Sequence, residues 1–108
     1  MNHMTEHELK CWPESFDPIF VGLKKFDLRK NDRGFKVGDT ILLREYEPPK
    51  LQVQGEKYAG PGGYTGRVLR QRISYILEGL GGSLTGVIAP LHGLERGYVI
   101  LGLMDTSQ

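Results

Sequence analysis

The chain has 108 residues, 39% hydrophobic and 25% charged, enough for one soluble globular domain with a single modest core and too short for two. No apolar run reaches the length of a bilayer span, no signal-peptide pattern opens the chain, and one cysteine, Cys11, excludes an intrachain disulfide. A cytoplasmic protein is the default reading. The net charge of +1 hides an asymmetry, because Glu6, Glu8, Glu14 and Asp17 face Lys10 alone near the start, whereas Arg67, Arg70 and Arg72 come without an acid between 64 and 76. Such a split suits a basic face that attracts phosphate locally.

Residues 1–6 read as a frayed start, and a single domain runs from 7 to 108. His7-Glu8-Leu9-Lys10-Cys11 alternates, with His7, Leu9 and Cys11 on one face, and predicts a first strand. His7 reads as a satisfied structural residue. His3, His7 and His92 have no metal-ligand spacing with one another or with Cys11, so no metal site and no cofactor is expected. Phe16, Ile19, Phe20 and Leu23 fall at i, i+3, i+4 and i+7, and Pro13 and Pro18 suit early helical positions. The spacing predicts a short helix over 14–21 that ends at Gly22, with Trp12 packing at the strand–helix junction.

Gly22 to Asp39 is the most charged stretch, with six basic and three acidic side chains in eighteen positions. Lys25, Asp27 and Arg29 share one face of an extended segment, while Phe26 and Leu28 point to the other, into apolar contact. Asn31-Asp32-Arg33-Gly34 supplies turn chemistry, so a charged hairpin is expected. Two readings of its face stay open: a Lys/Asp/Arg group held on a rigid strand, or a solvated edge. Thr40 to Tyr46 forms the next strand, with Ile41, Leu43 and Glu45 on one face. A carboxylate at the end of an apolar face is either exposed at a rim or paired.

Residues 47–63, rich in Pro and Gly, read as a loop excursion outside the core. Tyr64 to Leu77 is a long strand of mixed faces, as expected where a strand bends through a small barrel. Gly79 to Gly97 reads as a flexible loop whose GLGGSLTG segment lacks the phosphate-loop pattern. Tyr98 to Leu103 closes the sheet. The whole predicts an α+β fold, a small barrel of five to six mostly antiparallel strands with one early helix.

Gly22-Leu23-Lys24-Lys25-Phe26-Asp27-Leu28-Arg29 resembles the G-x-K-x-x-E-x-R signature of ASCH domains, members of the PUA-like β-barrel superfamily. Together with His7 to Lys10, Lys30-Asn31-Asp32-Arg33, Val37-Gly38-Asp39 and Glu45-Tyr46, the chain looks like a small ASCH-like family of unknown function frequent in bacterial and phage-derived genes. The likeness covers residues 7–46, then Gly63 to Gly66, Tyr75 to Leu77 and Gly97 to Leu101. It implies a pseudo-barrel with a cleft beside the signature strand and a role in binding RNA or a nucleotide. By position the signature falls on Gly22, Lys24, Asp27 and Arg29, with Asp27 replacing the usual Glu.

The expected module binds RNA or a nucleotide in a basic cleft beside that strand. Lys24, Arg29 and Arg44 contact phosphate, Asp27 orients Arg29 or accepts from a base edge, and Tyr46 or Tyr64 offers a stacking surface. Lys24 is expected at the helix–strand turn, reaching over the cleft rim beside Arg29. The alternative is an enzyme. Some ASCH-like proteins are amidohydrolases of acetylated cytidine that use a Lys, a Thr and a Glu; Lys24 matches the lysine, Asp27 stands where the threonine would be, and the glutamate has no match.

Overall fold

The structure, a computed structural model, describes residues 4–49, 62–79, 88–91 and 94–106. Alternating sequence becomes alternating burial along β1 (Glu6–Cys11), where His7, Leu9 and Cys11 point inward, and along β3 (Thr40–Glu47), where Ile41, Leu43 and Glu45 do. Between them come α1 (Pro13–Phe20) and β2 (Phe26–Lys30); β4 (Gly63–Gly79), β5 (Ile88–Leu91) and β6 (Tyr98–Asp105) follow. The strands run β1-β3-β4-β6-β2 across one sheet, with β5 pairing β4 off this path. β1–β3 and β4–β5 are parallel, and β3–β4, β4–β6 and β2–β6 antiparallel. The result is a small, mixed, barrel-like α+β fold. Its two edge strands come together where Arg29 Nη2 of β2 donates to the Lys10 carbonyl of β1 at 2.8 Å.

β4 is the bent spine of the sheet. Its first half pairs β3 and its second half pairs β6, with a register shift against β6 between Ile73 and Tyr75. The shift resets the alternation, so Gln71 and Ile73 point inward and then Ile76 and Glu78 do. This explains the mixed faces of the sequence. Tyr75 is turned outward against Gly102, where a Cβ would overlap its ring.

Leu9, Phe16, Ile19, Ile41, Leu43, Ile73, Ile76, Val99, Leu101 and Leu103 fill the core. α1 covers it with Phe16 and Ile19, while Phe20 is 47% exposed and Leu23 85% exposed, so the apolar stripe is narrower than its spacing predicts. The helix begins where the Trp12 carbonyl accepts from the Ser15 and Phe16 N–H groups, and ends at Gly22 with φ +85°. No helix of the described residues is long and apolar enough to cross a membrane.

Several expectations are corrected. Gly22 to Asp39 is not a hairpin: β2 pairs β6, Leu28 opposite Ile100, and the chain then crosses to β3. The crossing is tied down by Phe35, buried with its ring 4.8 Å from that of His7, and by Asp39. The Asp39 carboxylate takes His7 Nε2 at 2.9 Å, the Thr5 N–H at 3.2 Å and the Lys36 N–H at 3.1 Å, which makes His7 a satisfied structural residue. The phase of β2 is also reversed. Asp27 is buried, whereas Phe26 and Leu28 are half-exposed, because Arg29 neutralises the carboxylate inside the barrel. Trp12 is 54% exposed rather than packed. β5 stands inside the stretch expected to be loop. Most of the 47–63 excursion, and GLGGSLTG beyond Gly79, lie outside the described residues.

Candidate nucleic-acid interface

Strand alternation sends the charged residues of β1, β3 and β4 to two different places. On the inner face, Glu45 is buried at the end of the Ile41/Leu43 row and accepts from Thr65 Oγ1 at 2.7 Å and from Arg67 Nε and Nη2 at 2.9 and 2.8 Å. Those bonds hold the Glu45 carboxyl below its ordinary range and push the Arg67 guanidinium up. Arg67 also pairs with Asp17 of α1 and lies over the rings of Phe16 and Phe20, 4.9 and 5.1 Å from their centroids. The group fastens the helix to the barrel. Beside it sits the buried Cys11 thiol, pushed up to about 11 by burial and by the nearby Asp27 carboxylate.

On the outer face the register aligns Lys10 with Arg44 and Tyr46 with Tyr64. Lys10 Nζ lies 4.1 Å from the Tyr46 ring centroid, and the Arg44 guanidinium 3.9 Å from that of Tyr64. The tyrosines meet edge to face at 5.1 Å. Arg44 Nη1 reaches Glu8 at 3.4 Å, and Arg70 pairs with Glu6 farther along the same face. Cations interleaved with one exposed ring, Tyr64, and one partly buried ring, Tyr46, form a surface that suits phosphates and bases together.

Asp27 and Arg29 are brought together, Nε to Oδ2 at 2.7 Å. They open onto a groove of about 270 Å³ at the seam between β1 and β2, lined also by Lys10, Trp12, Glu14 and Lys30. Lys24 does sit at the helix–strand turn, but it does not reach this groove. It lines a separate cavity of about 370 Å³, with Lys25, Leu69, Gln71, Leu103 and Asp105, where Gln71 Nε2 donates to Asp105 at 3.1 Å. The six residues singled out in the sequence therefore divide into Arg44, Tyr46 and Tyr64 on one face, Asp27 and Arg29 in the seam, and Lys24 apart. Sequence reasoning missed Lys10 and Trp12, and assigned Arg67 to a phosphate-attracting basic face rather than to Glu45. The available signal for Arg67 was Glu45, an inward carboxylate that required a cation. Among the described residues, no group of three His, Cys, Asp or Glu side chains is placed to hold a metal ion.

A family model described as a domain of unknown function, DUF3850, matches residues 6–103. The chain belongs to that family. The match takes this DUF3850 chain from the first residue of β1 into β6, including every residue of the outer-face cluster. It is also 33% identical over 72 residues to the "Uncharacterized 12.9 kDa protein in GpA 3'region" of Escherichia phage P2. That alignment covers 67% of this chain and 54% of the phage protein, so the chain matches about half the length of its relative. The likeness to phage-derived proteins expected of the sequence is thus found in this DUF3850 chain.

Proposed function

We propose that the chain binds RNA, or a nucleotide, on the outer face of β1, β3 and β4. The observation that carries this reading is the alternation of Lys10, Tyr46, Arg44 and Tyr64, each cation within about 4 Å of a ring, with Tyr64 exposed and Tyr46 partly buried. Phosphates pair with the cations and bases stack on the tyrosines, so binding tolerates sequence and falls as salt rises. The likeness of Gly22, Lys24, Asp27 and Arg29 to the ASCH signature, together with the barrel-like sheet, supports the same reading. Within it, Arg29 serves the fold more than the phosphate, because two of its nitrogens are engaged by Asp27 and the Lys10 carbonyl.

Fluorescence anisotropy with a labelled oligouridylate at two salt concentrations tests this. Tyr64→Ala and Arg44→Ala are expected to weaken binding about tenfold each, the loss of a stacked base or a phosphate contact. Equal affinity of both variants and the parent would refute the surface. A second reading, an amidohydrolase of an N4-acetylcytidine-like nucleoside, draws on the cavity that Lys24 and Asp105 line. Deacylation by the parent but not by Lys24→Ala, without oligonucleotide binding, would put that reading in its place.

A further inference from the structure

We infer that the groove between β1 and β2 is a second nucleotide subsite, continuous with the outer face, in which a base stacks on Trp12 and the flanking phosphates meet Lys10 and Lys30. The inference rests on the nucleic-acid reading and extends it to a stretch of single strand that crosses the sheet from Tyr64 to Trp12.

Trp12 is the first observation. It is 54% exposed although Cys11 before it is buried, and its structural role at the start of α1 is filled by its backbone carbonyl. The fold therefore makes little use of the indole, which faces the groove as an open aromatic surface. The lining is the second observation. Lys10, Arg29 and Lys30 are balanced by Glu14 and by Asp27, but the Asp27 charge is already met by Arg29 at 2.7 Å. At about 270 Å³ the groove is near the lower end of small-ligand sites, the size for one nucleoside rather than a folded partner.

Continuity is the third. Lys10 lines the groove and also places its ammonium 4.1 Å from the Tyr46 ring, so one side chain borders both sites. At about 4.8 Å between neighbouring strands, β4 to β1 is a path of roughly 10 Å, which a strand of a few nucleotides spans. Arg29 gives the groove a fixed floor: its bonds to Asp27 and to the Lys10 carbonyl hold the two edge strands at one separation. A duplex does not fit this arrangement, because its bases are stacked on one another and cannot reach two separate rings.

The protein contains a single tryptophan, so its emission reports on this groove alone. Titration with an oligouridylate of about nine nucleotides is expected to quench Trp12 fluorescence in parallel with the anisotropy change. Trp12→Ala should weaken binding about tenfold or more, Trp12→Phe should restore most of it, and Lys30→Ala should lower the salt slope by about one. Anisotropy binding with unchanged tryptophan emission, or unaltered affinity in Trp12→Ala, would overturn the groove while leaving the outer-face reading intact. No anisotropy change with the parent protein at low salt would remove both.

Discussion

Replacing Arg29 with Met strands the Asp27 carboxylate. Asp27 is 4% exposed and accepts Arg29 Nε at 2.7 Å, whereas the Arg29 side chain keeps 23% of its surface in water. Methionine preserves much of the aliphatic packing but supplies no donor, so a charge stays inside the barrel without its partner. Breaking a buried pair from one side costs about 3–5 kcal/mol, and the partial exposure of Arg29 places this case near 3 kcal/mol. Loss of the seam bond to the Lys10 carbonyl adds little, since water can replace it there. At about 4 °C per kcal/mol for a domain of this size, Tm should fall by about 12 °C. Asp27→Asn, which keeps an acceptor and lets the guanidinium turn to solvent, should cost only about 1 kcal/mol, and the double variant should be more stable than Arg29→Met alone. Urea unfolding followed by circular dichroism at neutral pH measures all three. An Arg29→Met protein within about 0.5 kcal/mol of the parent, or a double variant showing simple additivity, would refute the buried-pair argument.

Three further outcomes are expected. Phe16→Ala, at a side chain that is 0% exposed beneath Arg67, should cost about 3–4 kcal/mol in the same unfolding experiment; less than about 1 kcal/mol would show that α1 is not anchored there. Glu45→Gln should be less stable than the parent above about pH 4.3 and approach it as acid is added. The folded carboxyl is held low, so its contribution is present above the unfolded value and is lost as pH falls through the folded one; a gap independent of pH would contradict this. Cys11, buried and pushed up to about 11, should resist a thiol reagent at mildly alkaline pH until denaturant is added, and rapid stoichiometric labelling of the native protein would show it to be accessible.

Period-two alternation located the inner faces of β1 and β3 because each carries apolar residues on a single side. The same rule could not orient β2. Its two faces are Phe26/Leu28 and Asp27/Arg29, and hydropathy favours burying the first, but the second is buried as a neutralised pair joined to the Lys10 carbonyl. The i, i+2 pairing of Asp27 with Arg29 is legible in the sequence, but its burial depends on the meeting with β1, a strand distant in the sequence, and leaves no local mark. The bulge in β4 was visible as broken alternation but not as a position. Tyr46, Tyr64 and Arg44 were identified as binding candidates one by one, and only the β3–β4 register shows that they adjoin one another. Trp12 reads as packing because an isolated tryptophan beside a helix start is usually packed, and nothing nearby in the sequence announces its exposure.

The strand order also dictates when the molecule can be completed. β2 ends about seventy residues before its partner β6 begins, so this pairing closes one of the largest loops in the chain. On a growing polypeptide, β1, α1, β3 and the first half of β4 can assemble while β2 still waits with its backbone unmatched. Arrival of the final strand then fixes β2, seats Asp27 and Arg29, and draws the two sheet edges together in one late event. Folding should accordingly be slow for the chain's size, and a chain halted before Tyr98 should expose a sticky, unpaired β2 that makes it a preferred target for chaperones and proteases.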